Sequence, residues 1–171
     1  MNATALLREQ VQQAHGFLNA TLEGVTSEQA HWTPPGTANP LAATYVHAIV
    51  SQDVAINVVL QGGAPLYATE WAEKTGISEI QTKPTAEWAH RVRIDLPTAR
   101  SYAQVVHTVT DAYLATLTDE DVARVLDLTS VGFGQMTVGT LLNRMVLGHV
   151  DNMTGEISVL KGLQGAKGYP I

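Results

Sequence analysis

The sequence predicts an all-α fold, a four-helix bundle with a long crossover between its second and third helices, and three observations carry that expectation. Four long segments repeat apolar residues at the three- and four-residue steps that line one helical face. Between the second and third of them the pattern breaks over residues 62–94. No long alternating run of β-branched residues occurs, so a sheet has no support.

The first segment carries Leu7, Val11, Ala14, Leu18, Leu22 and Val25 on one stripe, and Gly24 marks its end. Thr26-Ser27-Glu28-Gln29 then has the form of a capping box, in which Thr26 accepts from a backbone N–H and Gln29 reaches back. A short helix or turn follows, as far as Pro34-Pro35-Gly36. The second long helix is predicted to begin at Asn39-Pro40, an N-cap followed by the one helical position that tolerates proline. It runs to about Gln61, where Gly62-Gly63-Ala64-Pro65 stops it, and its apolar residues run nearly all the way round, so it should be the most central helix.

The crossover mixes Gly, Pro and Thr with Tyr67, Trp71 and Trp88 and holds a short helical stretch from Thr85 to Arg91. A connection of this length is usually functional or a true crossover, and its aromatics should pack down. Asp95 caps the third helix with Pro97 in its first turn, and the stripe Ala99, Tyr102, Val106, Val109, Tyr113, Leu117 follows. Thr118-Asp119-Glu120-Asp121 repeats the cap signal of Thr26, so Leu22–Gln29 and Leu114–Asp121 look like related helix ends. The fourth helix starts near Thr137 and presents Leu141, Met145, His149, Met153, Ile157 and Leu160 before Gly162. An irregular tail, about 162–171, should lie over the bundle.

At 171 residues the chain fits one domain, 1–171, with a sizeable core. Sixteen acidic against ten basic residues give a net charge of −6, and no basic stripe occurs, which argues against nucleic acid as a partner. Absence of cysteine excludes disulfides and thiolate ligands and agrees with a cytoplasmic location. Arg8 and Glu9 come too early for a secretory signal. The sparsely charged stretch 29–69 carries Tyr45, His47, Ser51, Gln52, Asp53 and Asn57, a poor membrane span, so no membrane partner is expected.

Six histidines are present, and His47 and His149 stand out because each lies among apolar residues of a long helix. A buried imidazole needs a partner at each nitrogen; a metal ion is one, and water or a backbone carbonyl is another. Two readings stay open: the pair converges on a divalent metal inside the bundle, or each is a core histidine satisfied by hydrogen bonds. His15 and His107 border apolar stripes as partly buried packing residues, while His31 and His90 lie in or beside turns.

The run Gly148-His149-Val150-Asp151-Asn152-Met153-Thr154-Gly155-Glu156-Ile157, with Lys161-Gly162-Leu163-Gln164-Gly165 and Gly168-Tyr169-Pro170 after it, resembles the DinB-like superfamily of metal-dependent bundle proteins, the DinB/YfiT type. His47 ahead of Asp53 and Gly62-Gly63, and the turn Trp32-Thr33-Pro34-Pro35-Gly36, fit the same pattern. The resemblance implies a four-helix bundle, often a homodimer, with a divalent metal (Zn, Ni or Fe) held by three histidines. It places one ligand at His47 and two on a His-x-x-x-His pair whose first position is His149. The second position is Met153, a soft thioether poorly suited to those ions, so the site is expected to be degenerate.

Accessory roles fall to Asn152, one turn from His149, and to Asp53, which sits about 120° round the helix from His47 and whose simpler role is pairing with an arginine. Glu156 lies on the His149 face roughly 10 Å along, too far to share an ion but able to move a proton as the catalytic candidate. Asp151 is expected to be plain surface. The resemblance thus makes reachable a metal-dependent hydrolase or a thiol-dependent transferase or isomerase acting on a small molecule. The alternatives are a non-catalytic protein whose metal-free pocket, lined by Met153, Met145 and crossover aromatics, binds a small apolar ligand, or a stress-associated dimer.

Overall fold

The computed structural model describes residues 2–170. They form a mostly helical molecule with one small two-stranded sheet. Helix α1 spans Ala3–Thr21, with the Asn2 side chain accepting from the Ala5 N–H at its start. Helix α2, Ser27–His31, opens with the predicted capping box, both of its hydrogen bonds formed. Helix α3, Leu41–Asp53, begins one residue later than expected, with Pro40 in the cap position and no side-chain cap. It runs without a break into a π-helical stretch, Val54–Leu60.

The crossover holds a 3₁₀ turn, Leu66–Ala68, and helix α4, Ala86–Arg91, capped by Thr85 as its sequence predicts. Helix α5, Leu96–Thr116, starts from the Asp95 cap, and α6, Asp119–Ala123, from a second full capping box at Thr118 and Asp121. The likeness between Leu22–Gln29 and Leu114–Asp121 is therefore a likeness of local structure. The last helical run is continuous from Val138 to Gly162: α7 (Val138–Leu141) capped by Thr137, a π-helical stretch Leu142–Leu147, then α8 (Gly148–Gly162).

The expectation that no sheet occurs is corrected by a hairpin between α6 and α7. Strands β1 (Val125–Leu128) and β2 (Gly134–Thr137) pair antiparallel, Val125 opposite Thr137 and Leu128 opposite Gly134, around a 3₁₀ turn at Thr129–Val131. The strands are short, and Val125-Leu126-Asp127-Leu128 does not alternate apolar with polar residues, so no strand pattern registers.

Helix α1 packs on α5 and α8, and α3 packs on α5 and α8 as well. The larger core cluster joins Leu18, Tyr45, Ile49, Trp88, Tyr102 and Ile157, so the crossover helix is part of the core. A second cluster centres on Val11, Ile56, Leu114, Leu142 and Val146. The stretch Leu41–Leu60 is apolar and long enough to cross a membrane, yet most of it is buried inside the protein. Burying each of its larger apolar side chains contributes roughly 1.5–3 kcal/mol, which explains why α3 sits at the centre.

Asp53 anchors the crossover. Its carboxylate is fully buried and accepts from Asn57 Nδ2 (2.7 Å), the backbone N–H groups of Leu66 (2.9 Å) and Tyr67 (3.2 Å), and the Tyr102 hydroxyl (2.5 Å). The expected arginine partner is replaced by these neutral donors. The far end of the crossover is tied by His31, whose Nδ1 bonds the Ser27 carbonyl while Nε2 accepts from the Ile94 N–H (3.0 Å).

Candidate functional site

His47 stands in the middle of α3 and His149 is the second residue of α8, on helices that pack against each other. Their ring centroids are 4.7 Å apart and the ring planes are perpendicular. One turn beyond His47, Ser51 Oγ lies 3.3 Å from His47 Nδ1, which leaves Nε2 as the free nitrogen. His149 Nε2 is buried with no hydrogen-bond partner. Burial lowers the pKa of both imidazoles; for His47 the neighbouring His149 lowers it further, and for His149 the backbone of His47 partly offsets the effect. Both rings are therefore held toward the neutral form.

The pair borders a cavity of about 380 Å³. Along α3 and its π-helical extension the wall is His47, Val50, Ser51, Val54, Ala55 and Val59, and on the facing helical run it is Leu141, Met145 and His149. Both walls include π-helical stretches, the widened helical form that recurs at functional sites. The hairpin closes one side with Leu128 and Met136, and its tip brings Val131 and Phe133 to the mouth, 61% and 49% exposed. Thr82 and Lys83 of the crossover, both exposed, also line the cavity. No carboxylate lines the cavity.

Comparison with known proteins identifies the family and the fold. The DinB superfamily matches residues 9–152, most of the chain. The chain belongs to the DinB superfamily. Among solved structures it is similar to a conserved protein from Enterococcus faecalis, with a TM-score of 0.80 and 22% identity over 95% of this chain and 97% of that one. That likeness speaks for the fold alone. No curated protein matches the chain.

Of the residues singled out in the sequence, the DinB-superfamily fold of this chain brings together His47, His149 and Met145 at the cavity and leaves Met153, Asn152, Asp53 and Glu156 outside its lining. Met153 is half-buried one turn beyond His149 and does not line the cavity; Met145, one turn before His149, does. Asn152 and Glu156 are exposed on α8 and Asp53 is spent on the crossover. Local desolvation by its neighbours raises the pKa of Glu156, yet Glu156 does not line the cavity. The crossover aromatics expected as lining are instead core: Trp88 is 1% exposed and donates its Nε1–H to the Glu79 carbonyl, while Trp71 packs on Tyr102.

A resident Zn, Ni or Fe ion needs three or four strong donors. This cavity offers two imidazoles, two thioethers and no carboxylate, and among the described residues no three His, Asp or Glu side chains gather into a ligand group. The donor set falls short of the three-histidine cage that the family resemblance implies. What remains is an apolar chamber with a paired imidazole at its wall.

Sequence reasoning missed Leu128, Val131, Phe133 and Met136, because the hairpin that carries them was unrecognised, and missed Thr82 and Lys83. The apolar residues 125, 126, 128, 131 and 133 between two capping signals were the available clue. It also underestimated His15 and His107, which are not partly but almost wholly buried. They stack face to face at 3.7 Å, with His15 Nε2 bonded to the Gln52 amide and both His107 nitrogens unpartnered. Parallel rings cannot point both lone pairs at one ion, so this second pair is a packing element rather than a ligand set.

Proposed function

We propose that this DinB-superfamily protein is a four-helix bundle that binds a small apolar molecule in the chamber between α3, α8 and the hairpin, with His47 and His149 as its polar anchor. The observation that carries this reading is the juxtaposition of two imidazoles, 4.7 Å apart, at the wall of a cavity otherwise lined mainly by Val, Leu, Met and Phe. Pockets of this kind take their affinity from apolar contact and their orientation from a few polar groups. Neutral imidazoles both donate and accept, so they suit a carbonyl, hydroxyl or acid group of a ligand.

In this reading Met153 marks a metal position that has been disarmed, and the protein does not use the metal-dependent hydrolase or transferase chemistry open to its relatives. The unpartnered His149 Nε2 favours the enzyme reading, since a metal would satisfy it. Metal analysis of protein purified without a histidine tag separates the two. The native chain should carry Zn²⁺, Ni²⁺ or Fe²⁺ far below stoichiometry. Met153→His, which sets a second imidazole one α-helical turn from His149, should retain Zn²⁺ stoichiometrically and lose it again with His47→Ala. Native protein already loaded to stoichiometry would overturn the binding-protein reading in favour of a metalloenzyme.

A further inference from the structure

The chamber has a charge asymmetry that the composition of the chain does not foreshadow. Acidic residues outnumber basic ones sixteen to ten, yet the only formally charged side chain among the lining residues is Lys83. Lys83 is exposed at the mouth and, among the described residues, forms no ion pair or hydrogen bond. The other polar groups of the lining are the hydroxyls of Thr82 and Ser51 and the two imidazoles, all of which can donate. Val131 and Phe133 line the same cavity and stand largely in solvent. Exposed apolar groups at the lip of an apolar chamber mark a surface that a ligand covers.

We infer that the ligand is an amphiphilic monoanion, an apolar body with one carboxylate or similar acid group, whose body fills the chamber under the hairpin tip and whose acid meets Lys83. This rests on the small-molecule reading above and sharpens it. A cationic ligand would find no carboxylate in the lining to neutralise it, and desolvating its charge there would be costly. A neutral apolar ligand would leave the ammonium and the hydroxyls without a role. A dianion or polyanion would carry charge that one ammonium cannot match.

Two fluorescent probes with the same ring skeleton test this: 1-anilinonaphthalene-8-sulfonate, a monoanion, and N-phenyl-1-naphthylamine, which lacks the sulfonate. Both are titrated at pH 7.5 into the native chain, Lys83→Gln, Lys83→Glu and the chamber-filling variant Ser51→Trp, each checked for its fold by circular dichroism. Lys83 is exposed, so its variants should fold as the native chain does. Lys83→Gln should weaken the anionic probe about two- to fivefold, as removal of an exposed ion pair does, and Lys83→Glu should weaken it further. The neutral probe should respond to neither, and Ser51→Trp should abolish both. If both probes bind, are blocked by Ser51→Trp, and ignore Lys83, the anion preference is wrong while the chamber reading survives. If neither probe binds, or both bind equally to a folded Ser51→Trp, the chamber reading itself falls.

Discussion

Asp53 shows how one side chain can be misjudged from its neighbours in sequence and still be essential. Its four donors are two side chains and two backbone N–H groups, contributed by its own helix, the crossover and α5. Removing the carboxylate orphans all of them in a buried place, so Asp53→Ala should cost about 3–5 kcal/mol in urea unfolding, against about 1–2 kcal/mol for Tyr102→Phe, which removes one donor. Equal, small losses would show that the crossover is held by packing alone. At this scale the imidazole pair was legible, because a histidine in an apolar helix is conspicuous. The partners of Asp53 were not, since donors 13, 14 and 49 residues away are joined to it only by the folded chain. Both Met153 and Met145 lie one helical turn from His149, but which methionine reaches the cavity depends on how the helices are set against each other, and that favours Met145.

Among the elements, the long helices and their caps follow from the sequence because capping chemistry is local: Thr26 and Thr118 need only the three residues after them. The π-helical stretches and the hairpin do not, since both are answers to what lies opposite. Two close approaches test how elements are fastened. Gly76 adopts φ +71°, and a Cβ there would lie 2.7 Å from Thr98 Cβ and 3.0 Å from the Asp95 carbonyl oxygen at the start of α5. Gly76→Ala should therefore cost about 2 kcal/mol or more, read by urea or thermal unfolding. The tail lies against α8 with Gly168 so close that a Cβ would sit 2.6 Å from Ser158 Oγ and 2.7 Å from the Ser158 carbonyl oxygen. Gly168→Ala should lift the tail, seen as faster proteolysis near 163–170, while global stability changes by no more than about 1 kcal/mol. A large loss of global stability would make the tail part of the core.

For the whole molecule, the stacked His15 and His107 set the response to acid. Burial lowers His15 to about 4 and His107 to about 3, with His15 pushing His107 down further. The unfolded chain, with imidazoles near 6.5, takes up protons first as the pH falls, so stability is full above about pH 6.5 and declines from there toward pH 3–4. His107→Leu keeps the volume and removes an imidazole whose nitrogens have no partner. Its unfolding free energy should be flatter between pH 6.5 and 4 and no lower than native at pH 7.5. Superimposable profiles for the two chains would assign the acid response to other groups.

The anchoring of the crossover bears on how the chamber is enclosed. Asp53 secures it at Leu66 and Tyr67; farther along, Glu79 is bound by Arg91 and Trp88, and Ser78 by the Arg93 backbone. The rim between Lys83 and Phe133 joins two separate segments. The chamber that holds the two imidazoles is thus walled on one side by a segment pinned at several points and on another by a ribbon of four-residue strands.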